Sequence, residues 1–371
     1  MNRLFLPAGS QDQVGDRLNN KAKLNETFRR VVRGRDFQAI ETPVVEYAQT
    51  FTNPHVGMNL SKLLKWFDRD GEIEVLRSDW TTAIARALMN QNAAQLKWFY
   101  QGSVFRNDTS GIESRQAGIE IIRTDPLLGE MESLLTAVAY LKEIDVRNYI
   151  IELGHTGLFD YLIKSLELNQ ETEEQLRLAL YDKKQDAIYQ IINKREHNEI
   201  AQDLVELTKA FGGKEVLVRY GLRWQDRPEL VAILNQLQQL VAVLEQIGVP
   251  EVIVDLGRVK ELPYYSGTMF RGYLKPSGKT CFSGGRYDKL YAQFNEDITA
   301  IGLAFDIDVL TEVLKPEPVK PRICLVACPQ THLKAELMRK DFPNGQVDIR
   351  YQIPATGLYD QVIQIADEVK E

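Results

Sequence analysis

The sequence has few of the residues that hold secreted or zinc-binding proteins together. Its three cysteines, Cys281, Cys324 and Cys328, are too few and too scattered for a disulfide framework, as is typical of a protein from a reducing compartment. Cys324 and Cys328 lie in and beside the apolar run 323–327, so we predict buried strand residues rather than metal ligands. The four histidines are dispersed and complete no zinc cluster. We therefore expect no metal and no other cofactor.

Long hydrophobic runs are absent as well. No apolar stretch approaches the roughly 20 residues that span a bilayer. Residues 1–5 are too short and too quickly polar to form a secretory signal. These absences predict a cytoplasmic protein with no membrane partner.

Basic charge is also scarce. The 45 lysines and arginines are outnumbered by 52 aspartates and glutamates, which gives a net charge of −7. A protein that binds tRNA usually presents a basic face to the phosphates. The charge balance therefore favours a small-molecule or protein partner over a nucleic acid.

The hydrophobic pattern indicates an α+β fold. We predict helices at 16–34, 81–89, 130–147 and 227–247, and strands at 73–77, 96–107, 116–124, 149–152, 251–255, 264–273 and 299–305. Strands clustered in hairpins with helices on one side are typical of an antiparallel sheet, not of a doubly wound parallel sheet.

Composition divides the chain into a core, a linker and a small C-terminal segment. Residues 1–314 form the predicted core, and about 159–212 within it form a helical insertion that ends at Gly212-Gly213. Residues 315–321 hold three prolines and are predicted to be a stiff linker. The C-terminal βα segment, 322–371, alternates predicted strand and helix at 323–327, 331–340, 347–352 and 359–369.

Polar residues recur on one face of the predicted strand 116–124. Alternation places Gln116, Gly118 and Glu120 on the same side, and the glycine allows a close backbone approach. The pattern predicts a ligand-facing surface. Its plainer interpretation is a solvated face of the sheet, on which Gln116 and Glu120 have no special role.

Two further segments carry candidate site residues. Tyr264 and Tyr265, as neighbours on a strand, would point to opposite faces, so at most one would line a given pocket, and both could be structural. Residues 283–288, Ser-Gly-Gly-Arg-Tyr-Asp, are predicted to form a glycine turn before a helix. Such a turn either brings backbone amides to an anion or is a plain turn.

A set of short motifs resembles histidyl-tRNA synthetases, a family of class II aminoacyl-tRNA synthetases. In chain order they are Pro7-Ala8-Gly9-Ser10-Gln11-Asp12, Leu76-Arg77-Ser78-Asp79-Trp80-Thr81, Phe105-Arg106-Asn107-Asp108, Gln116-Ala117-Gly118-Ile119-Glu120, Gly284-Gly285-Arg286-Tyr287-Asp288 and Ala300-Ile301-Gly302-Leu303-Ala304. Each motif is weak alone, but the ordered set is specific and covers about residues 5–315. It implies a class II synthetase-like fold for the core.

The resemblance implies a pocket for histidine. Asp79, Thr81 and Gln116 would bind its α-ammonium group, where Asp79 has a shorter reach than the family's glutamate. Glu120 and Tyr264 would pair with the imidazole nitrogens, and Arg106 would face the carboxylate. The full predicted histidine-binding set is Asp79, Thr81, Arg106, Gln116, Glu120, Lys260, Tyr264 and Tyr265.

The residues that would handle ATP depart from the synthetase pattern. Lys260 begins the segment that replaces Arg-Gly-Leu-Asp-Tyr-Tyr, and a lysine keeps the charge but loses the guanidinium fork. Val309 stands where the third synthetase motif has its phosphate-binding arginine. Asp306 and Asp308 add negative charge near the expected triphosphate, which disfavours it. We predict no catalytic residues.

A chain that keeps the pocket and loses the activation machinery resembles the regulatory subunits of ATP phosphoribosyltransferase. The resemblance implies a non-catalytic partner of the short-form catalytic subunit at the first step of histidine biosynthesis. It would activate that subunit and mediate feedback inhibition by histidine, bound in this pocket or at the shared interface. It further implies a homodimer within a larger hetero-oligomer, and no tRNA.

Two alternatives stay open. The first is an active histidyl-tRNA synthetase, which ATP-dependent pyrophosphate exchange would reveal. The second is a stand-alone paralogue that senses or ligates another amino acid, which a binding competition would reveal.

Overall fold

A computed structural model describes residues 5–6, 9–89, 95–107, 111–193, 198–259, 263–294, 296–314 and 320–366. Its helices are α1 Asp16–Arg33, α2 Gln49–Thr52, α3 Trp80–Met89, α4 Pro126–Glu143, α5 Thr156–Ile163, α6 Gln170–Tyr181, α7 Gln185–Asn193, α8 Asn198–Leu207, α9 Glu215–Arg223, α10 Pro228–Gln246, α11 Ile307–Thr311 and α12 His332–Met338.

The strands are β1 Gln38–Ala39, β2 Val45–Tyr47, β3 Lys65–Phe67, β4 Ile73–Leu76, β5 Lys97–Phe105, β6 Glu113–Ile122, β7 Tyr149–His155, β8 Phe211–Gly212, β9 Val252–Asp255, β10 Thr268–Leu274, β11 Thr280–Arg286, β12 Ala300–Asp306, β13 Arg322–Val326, β14 Gln346–Arg350 and β15 Gln361–Gln364. The predicted α+β class is confirmed.

Among the described residues, nine strands form the main sheet in the order β1-β5-β6-β12-β11-β10-β7-β9-β8. Neighbouring strands run antiparallel, except for the parallel pairs β1–β5 and β7–β9. The predicted antiparallel core is therefore confirmed. Its centre, β6, β12, β11 and β10, carries most of the site described below.

Alternation along β6 separates two hydrophobic cores. Ile119 and Ile121 pack in the large core under α1 and α4, whereas Ile122 packs in a second core with Trp80 and Tyr100. Because side chains alternate along a strand, Gln116, Gly118 and Glu120 share the face of Ile122. The predicted polar face is therefore confirmed, and burial of Glu120 excludes its interpretation as a solvated surface.

Local sequence explains where two long helices begin. Asp125 accepts a hydrogen bond from the backbone N–H of Leu128 at 3.0 Å, and Pro126 occupies the first turn of α4. Pro228 has the same place in α10, as predicted. The helix predicted at 130–147 instead spans Pro126–Glu143, because Asp125 and Pro126 define an earlier start.

Of residues 283–288, predicted as a glycine turn before a helix, 283–286 instead lie within β11. A side chain on Gly284 would overlap the carbonyl of Gly302 in β12 and the ring of Phe270 in β10. Glycine is therefore required for close strand packing rather than for a turn. A short 3-10 helix, Asp288–Phe294, follows.

The region predicted as a helical insertion is packed onto the core. Helices α5 to α8 lie there and α9 follows, but residues 211–212 form β8, which pairs with β9 at the edge of the main sheet. Leu176 and Leu204 belong to the same buried core as the sheet. Within this region, buried Asp203 accepts hydrogen bonds from Arg223 at 3.0 Å and from Arg227 at 2.5 Å.

A second, smaller sheet has the order β2-β4-β3. Its inner side covers a cluster that includes Phe51, Leu63 and Val75. The same sheet and the residue before it leave large apolar side chains exposed, namely Val44, Val45, Tyr47, Trp66 and Phe67. An apolar surface of this kind is typical of a protein contact.

The chain falls into two compact units, 1–314 and 315–371. The second unit has a parallel sheet, β14-β13-β15, with α12 against it. The helix predicted at 359–369 is wrong where the structure describes it, because 361–364 form β15. Val362 and Ile363 are β-branched and favour a strand beside Cys324 and Leu325 of β13. Across the described residues, no helix is long and apolar enough to cross a membrane.

Candidate functional site

The predicted site residues come from four separated parts of the chain and meet at one cavity. Asp79 and Thr81 lie at the start of α3, Arg106 follows β5, and Gln116 lies in β6. Tyr264 and Tyr265 precede β10. A narrow cavity of about 100 Å³ is lined by Asp79, Thr81, Arg106, Gln116, Tyr264, Tyr265 and neighbouring residues. Two predicted residues remain. Glu120 does not line the cavity but contacts Thr81, which does. Lys260 falls outside the described residues.

Glu120 is fully buried and held by two hydroxyl groups. The Thr81 hydroxyl donates to Oε1 at 2.7 Å, and the Tyr287 hydroxyl donates to Oε2. Both donors line the narrow cavity. Burial raises the pKa of Glu120 to about 8, the two hydrogen bonds lower it, and the charge of Asp79 raises it further. Glu120 therefore keeps its proton to a higher pH than an ordinary glutamate does.

Asp79 joins the cavity to the first turn of α3. Its carboxylate accepts the backbone N–H of Thr82 at 2.7 Å and the Thr82 hydroxyl at 3.1 Å, so it caps the helix. Burial raises its pKa, and these hydrogen bonds together with the positive charge of Arg106 oppose the rise. Arg106 is itself oriented by a 3.1 Å hydrogen bond from Nε to the carbonyl of Ser78. The carboxyl group of Asp79 and the guanidinium group of Arg106 therefore face the same small space.

The space beside Gly118 is filled by protein. A side chain at this glycine would overlap the ring of Tyr100. Tyr100 stacks on Trp80 with ring centroids 4.8 Å apart, and the Arg77 guanidinium lies 3.5 Å from the centroid of the Trp80 ring. Gly118 was predicted to leave room for a ligand. It leaves room instead for the ring of Tyr100, which is held in place by stacking on Trp80.

Tyr264 and Tyr265 both line the narrow cavity, which corrects the expectation that at most one would. That expectation assumed a strand from residue 264, but β10 begins at Thr268. Their side chains need not alternate outside a strand, and their ring centroids are 5.6 Å apart. Burial raises the pKa of both, that of Tyr265 to about 12. Both phenols are therefore neutral hydrogen-bonding groups at physiological pH.

The narrow cavity adjoins a wider one of about 420 Å³. The two share Asp79, Arg106, Gln116, Tyr265, Ser283 and Gly284. The wider cavity is also lined by Lys62, Arg258 and Arg271, none of which the sequence motifs identified. Arg258 lies only two positions before Lys260. Its place next to that segment is the sequence feature that could have identified it as a cavity residue. Tyr287 lies within the synthetase-like motif 284–288, but the motif alone does not predict its contact with Glu120.

The third-motif segment lies on a different cavity, of about 730 Å³, lined by Asp306, Asp308, Val309 and residues of the N-terminal region. Asp306 caps α11 by accepting the Val309 N–H at 3.0 Å. Asp308 forms an ion pair with Lys21 and accepts the backbone N–H of Arg115 at 2.9 Å. Both carboxylates therefore have structural roles, and neither lines the wider cavity next to the narrow one.

The described residues contain no group of three or more His, Cys, Asp or Glu side chains placed to hold a metal ion. What the site offers is a buried carboxyl, neutral phenols and hydroxyls, one helix-capping carboxylate and one guanidinium. This set matches a small zwitterion with a polar side chain, since each charged end has a partner of opposite sign.

Comparison with known proteins agrees with this geometry. The family model for histidyl-tRNA synthetase matches residues 9–310, which makes the chain a class II synthetase-like protein. An ATP phosphoribosyltransferase regulatory subunit from Caldanaerobacter subterraneus subsp. tengcongensis is 32% identical over 355 residues, covering 91% of this chain and 92% of that protein. One from Bacillus mycoides is 30% identical over 361 residues, covering 92% and 86%.

A solved structure gives the same answer. The crystal structure of an ATP phosphoribosyltransferase regulatory subunit/histidyl-tRNA synthetase from Bacillus halodurans superposes with a TM-score of 0.84 at 26% identity, covering 97% of both chains. The chain belongs to the family of ATP phosphoribosyltransferase regulatory subunits, which share the histidyl-tRNA synthetase fold.

Proposed function

We propose that this chain is the non-catalytic regulatory partner of a short-form ATP phosphoribosyltransferase catalytic subunit in histidine biosynthesis, and that free histidine is its effector. One combination carries the proposal. The protein builds a small, polar, amino-acid-sized cavity, yet Val309 stands where a synthetase needs a phosphate-binding arginine. The chain therefore has the means to bind an amino acid without the full means to activate it.

Each end of histidine has a partner in the proposed binding mode. Asp79, Thr81 and Gln116 take the α-ammonium group, and Arg106 takes the carboxylate. The imidazole pairs with the Tyr264 phenol and the Glu120 carboxyl. Because the pKa of Glu120 is raised to about 8, its carboxyl can either donate or accept a proton near neutral pH. That property suits a ring that needs one donor and one acceptor.

Regulation follows from linkage between the two subunits. The chain favours the active state of its partner, and histidine favours a less active state of the assembly. Coupling of this kind is typically about 1–3 kcal/mol and is reciprocal, so the catalytic subunit must alter histidine affinity by the same factor.

We also propose that the chain forms a homodimer. The exposed apolar side chains of the small sheet, with Phe67 the most exposed among them at 73%, support a contact between copies. Light scattering of the isolated chain checks this. A dimeric mass supports the proposal, and a monomeric mass at micromolar concentration contradicts it.

The central experiment measures phosphoribosyl transfer by a short-form catalytic subunit, with and without this chain, across a histidine titration. We expect activity to rise with the chain and to fall with histidine only when the chain is present. If the chain changes neither the activity nor its histidine response, the proposed function is wrong.

A second assay addresses the synthetase alternative. We propose that the chain does not activate histidine and does not use tRNA, as supported by Val309 and the net charge of −7. Histidine-dependent exchange of pyrophosphate into ATP is therefore expected to be absent. Exchange at a rate proportional to the amount of chain would establish an active synthetase instead.

A further inference from the structure

The parallel sheet of the second unit has one unprotected edge. Its order is β14-β13-β15, so β14 and β15 are its outer strands among the described residues. An outer strand presents a row of backbone N–H and C=O groups that no neighbouring strand takes up. Proteins commonly protect such a row with charged side chains, proline, a bulge or a covering element. The two outer strands of this sheet differ in that protection.

Charge protects β14 but not β15. In β14, Asp348 and Arg350 form an ion pair at 2.9 Å, and Asp348 also accepts a hydrogen bond from the Tyr359 hydroxyl. Strand β15, Gln361–Gln364, contains neither a charged residue nor proline, and it pairs with β13 in unbroken register. Its Val362 is 44% exposed. Within the part of the chain that the structure describes, the outer edge of β15 is therefore open, regular and uncharged, which is the combination that accepts a further strand.

A second copy of the same strand is complementary to this edge. Homo-oligomers are most often two-fold symmetric, and in a two-fold interface the same surface meets itself. A two-fold axis perpendicular to the sheet makes the two strands antiparallel and places one residue opposite itself. With Val362 at that position, valine packs on valine, and the nearest charged residue, Asp360, lies opposite Gln364. No like charges meet, whereas a charged partner of either sign would find no opposite charge on this strand.

We propose that β15 pairs antiparallel with β15 of a second copy of this chain, with Val362 opposite Val362. The two three-stranded sheets then become one six-stranded sheet. The pairing gives the outward backbone groups of β15 hydrogen-bond partners and covers a half-exposed valine. Residues 315–371 form a unit too short to bury a large core, so it gains from such a contact. The inference goes beyond the proposed function and does not involve the small sheet at which we propose the homodimer.

A cysteine at the symmetric position tests the proposed register. Directly opposite residues of antiparallel strands have Cα atoms about 4.5–5.5 Å apart, which is within the range of a disulfide. Val362→Cys in the full chain is therefore expected to form a disulfide-linked pair of chains under mild oxidation. The variant also carries Cys328→Ser, because Cys328 is the native thiol that is not fully buried. Non-reducing electrophoresis measures the linked fraction over time.

The matched control is Gln364→Cys in the same Cys328→Ser background, which changes an exposed residue two positions away on the same face of β15. In the proposed register the two copies of residue 364 are about 13 Å apart along the strands, too far for a disulfide. We expect Val362→Cys to link at least about tenfold faster than Gln364→Cys. Equal rates in the two variants, or no linkage in either, overturn the proposal. A β15 edge that instead binds a different protein gives one of these two results with the isolated chain.

Hydrogen exchange gives a second measurement without added cysteines. Val362→Lys places two ammonium groups directly opposite one another, and such like-charge pairs are destabilising. We expect faster amide exchange over residues 360–366 than in the original chain, with unchanged exchange in β13 as the sign that the unit is folded. Gln364→Lys adds the same charge opposite Asp360 of the second copy, so it should keep the slow exchange. Identical exchange in all three chains contradicts the pairing.

The two proposed contacts between copies can be separated. Light scattering of Val362→Lys measures the small-sheet homodimer with the β15 contact removed, and the disulfide rates measure the β15 contact. Stimulation of the catalytic subunit and its response to histidine are measured in the activity assay. Failure of the β15 pairing would therefore leave the proposed function intact.

Discussion

Tyr287 donates its hydroxyl hydrogen to Glu120 across the backbone of β12. The two residues meet over Gly302, which pairs with Glu120 in the sheet and where any side chain would overlap the Glu120 carboxylate. The second oxygen of Glu120 is held by Thr81. The floor of the proposed amino-acid pocket is thus fixed in position before a ligand arrives.

Replacing the ionisable carboxyl of Glu120 by an amide is expected to weaken histidine binding without disturbing assembly. Glu120→Gln keeps the shape but removes the titratable proton, so we expect at least about a tenfold loss of affinity, equal to about 1.4 kcal/mol. The control is Glu130→Gln, the same change at another buried glutamate, which lines neither cavity. Calorimetry measures affinity and light scattering measures assembly. Unchanged histidine affinity in Glu120→Gln would exclude this role.

The raised pKa of Glu120 also predicts how stability depends on pH. Its folded-state pKa of about 8 lies above the ordinary value of 4.5, so the folded protein binds the extra proton between these values. The stability it contributes is complete below about pH 4.5 and is lost as pH rises through about 8, on the order of 5 kcal/mol in all. Urea unfolding from pH 5 to 8 measures this slope. Glu120→Gln should flatten it, and an unaltered slope would contradict the assignment.

Enlarging Gly118 is expected to displace the ring of Tyr100. Gly118→Ala forces a methyl group into the Tyr100 ring and the carbonyl of Leu303, which costs about 1–3 kcal/mol of stability. Gly221→Ala in α9 is the matched control. It meets open space and should stabilise the helix by up to about 1 kcal/mol. Thermal unfolding compares the two, and equal effects would refute the packing argument.

The Asp203 cluster is expected to hold the helical region together. Asp203→Ala removes the hydrogen bonds from Arg223 and Arg227, but both arginines are partly exposed and stay hydrated, so the change should cost about 1–3 kcal/mol. Asp182→Ala removes an aspartate from an exposed pair with Lys184 and should cost less than about 1 kcal/mol. The free energy of unfolding in urea distinguishes these values. A small loss at Asp203 would mean that the cluster is peripheral to folding.

Sequence patterns predicted the sheet and the assembly of the narrow cavity because both rest on local rules. The alternation of Gln116, Gly118 and Glu120 follows from strand geometry alone. The polar set around the narrow cavity, Asp79 included, was identified by its resemblance to a known family, whereas the cap that Asp79 provides to α3 was not predicted. Such signals involve residues that are close in sequence, so they can be recognised without knowledge of the tertiary contacts.

The failures have a shared physical origin. Glycine permits turns, so the sequence predicts a turn at 283–288, but the crowding of Gly284 against Gly302 that requires a glycine is a contact between neighbouring strands. The sequence does not reveal that Arg258 and Arg271 are close, because their proximity depends on the pairing of β7 with both β9 and β10. The helix predicted at 359–369 is wrong over residues 361–364 because pairing with β13, a strand distant in sequence, adds to the strand preference of the β-branched Val362 and Ile363.

The carboxylates of Asp308 and Asp306 hold separate parts of the fold together. The carboxylate of Asp308 ties α1, through Lys21, to β6, through the N–H of Arg115, and Asp306 caps α11. An arginine introduced at position 309 would lie beside two carboxylates that already support the architecture. Replacing Asp308 to make room for phosphate would also remove the brace between α1 and β6.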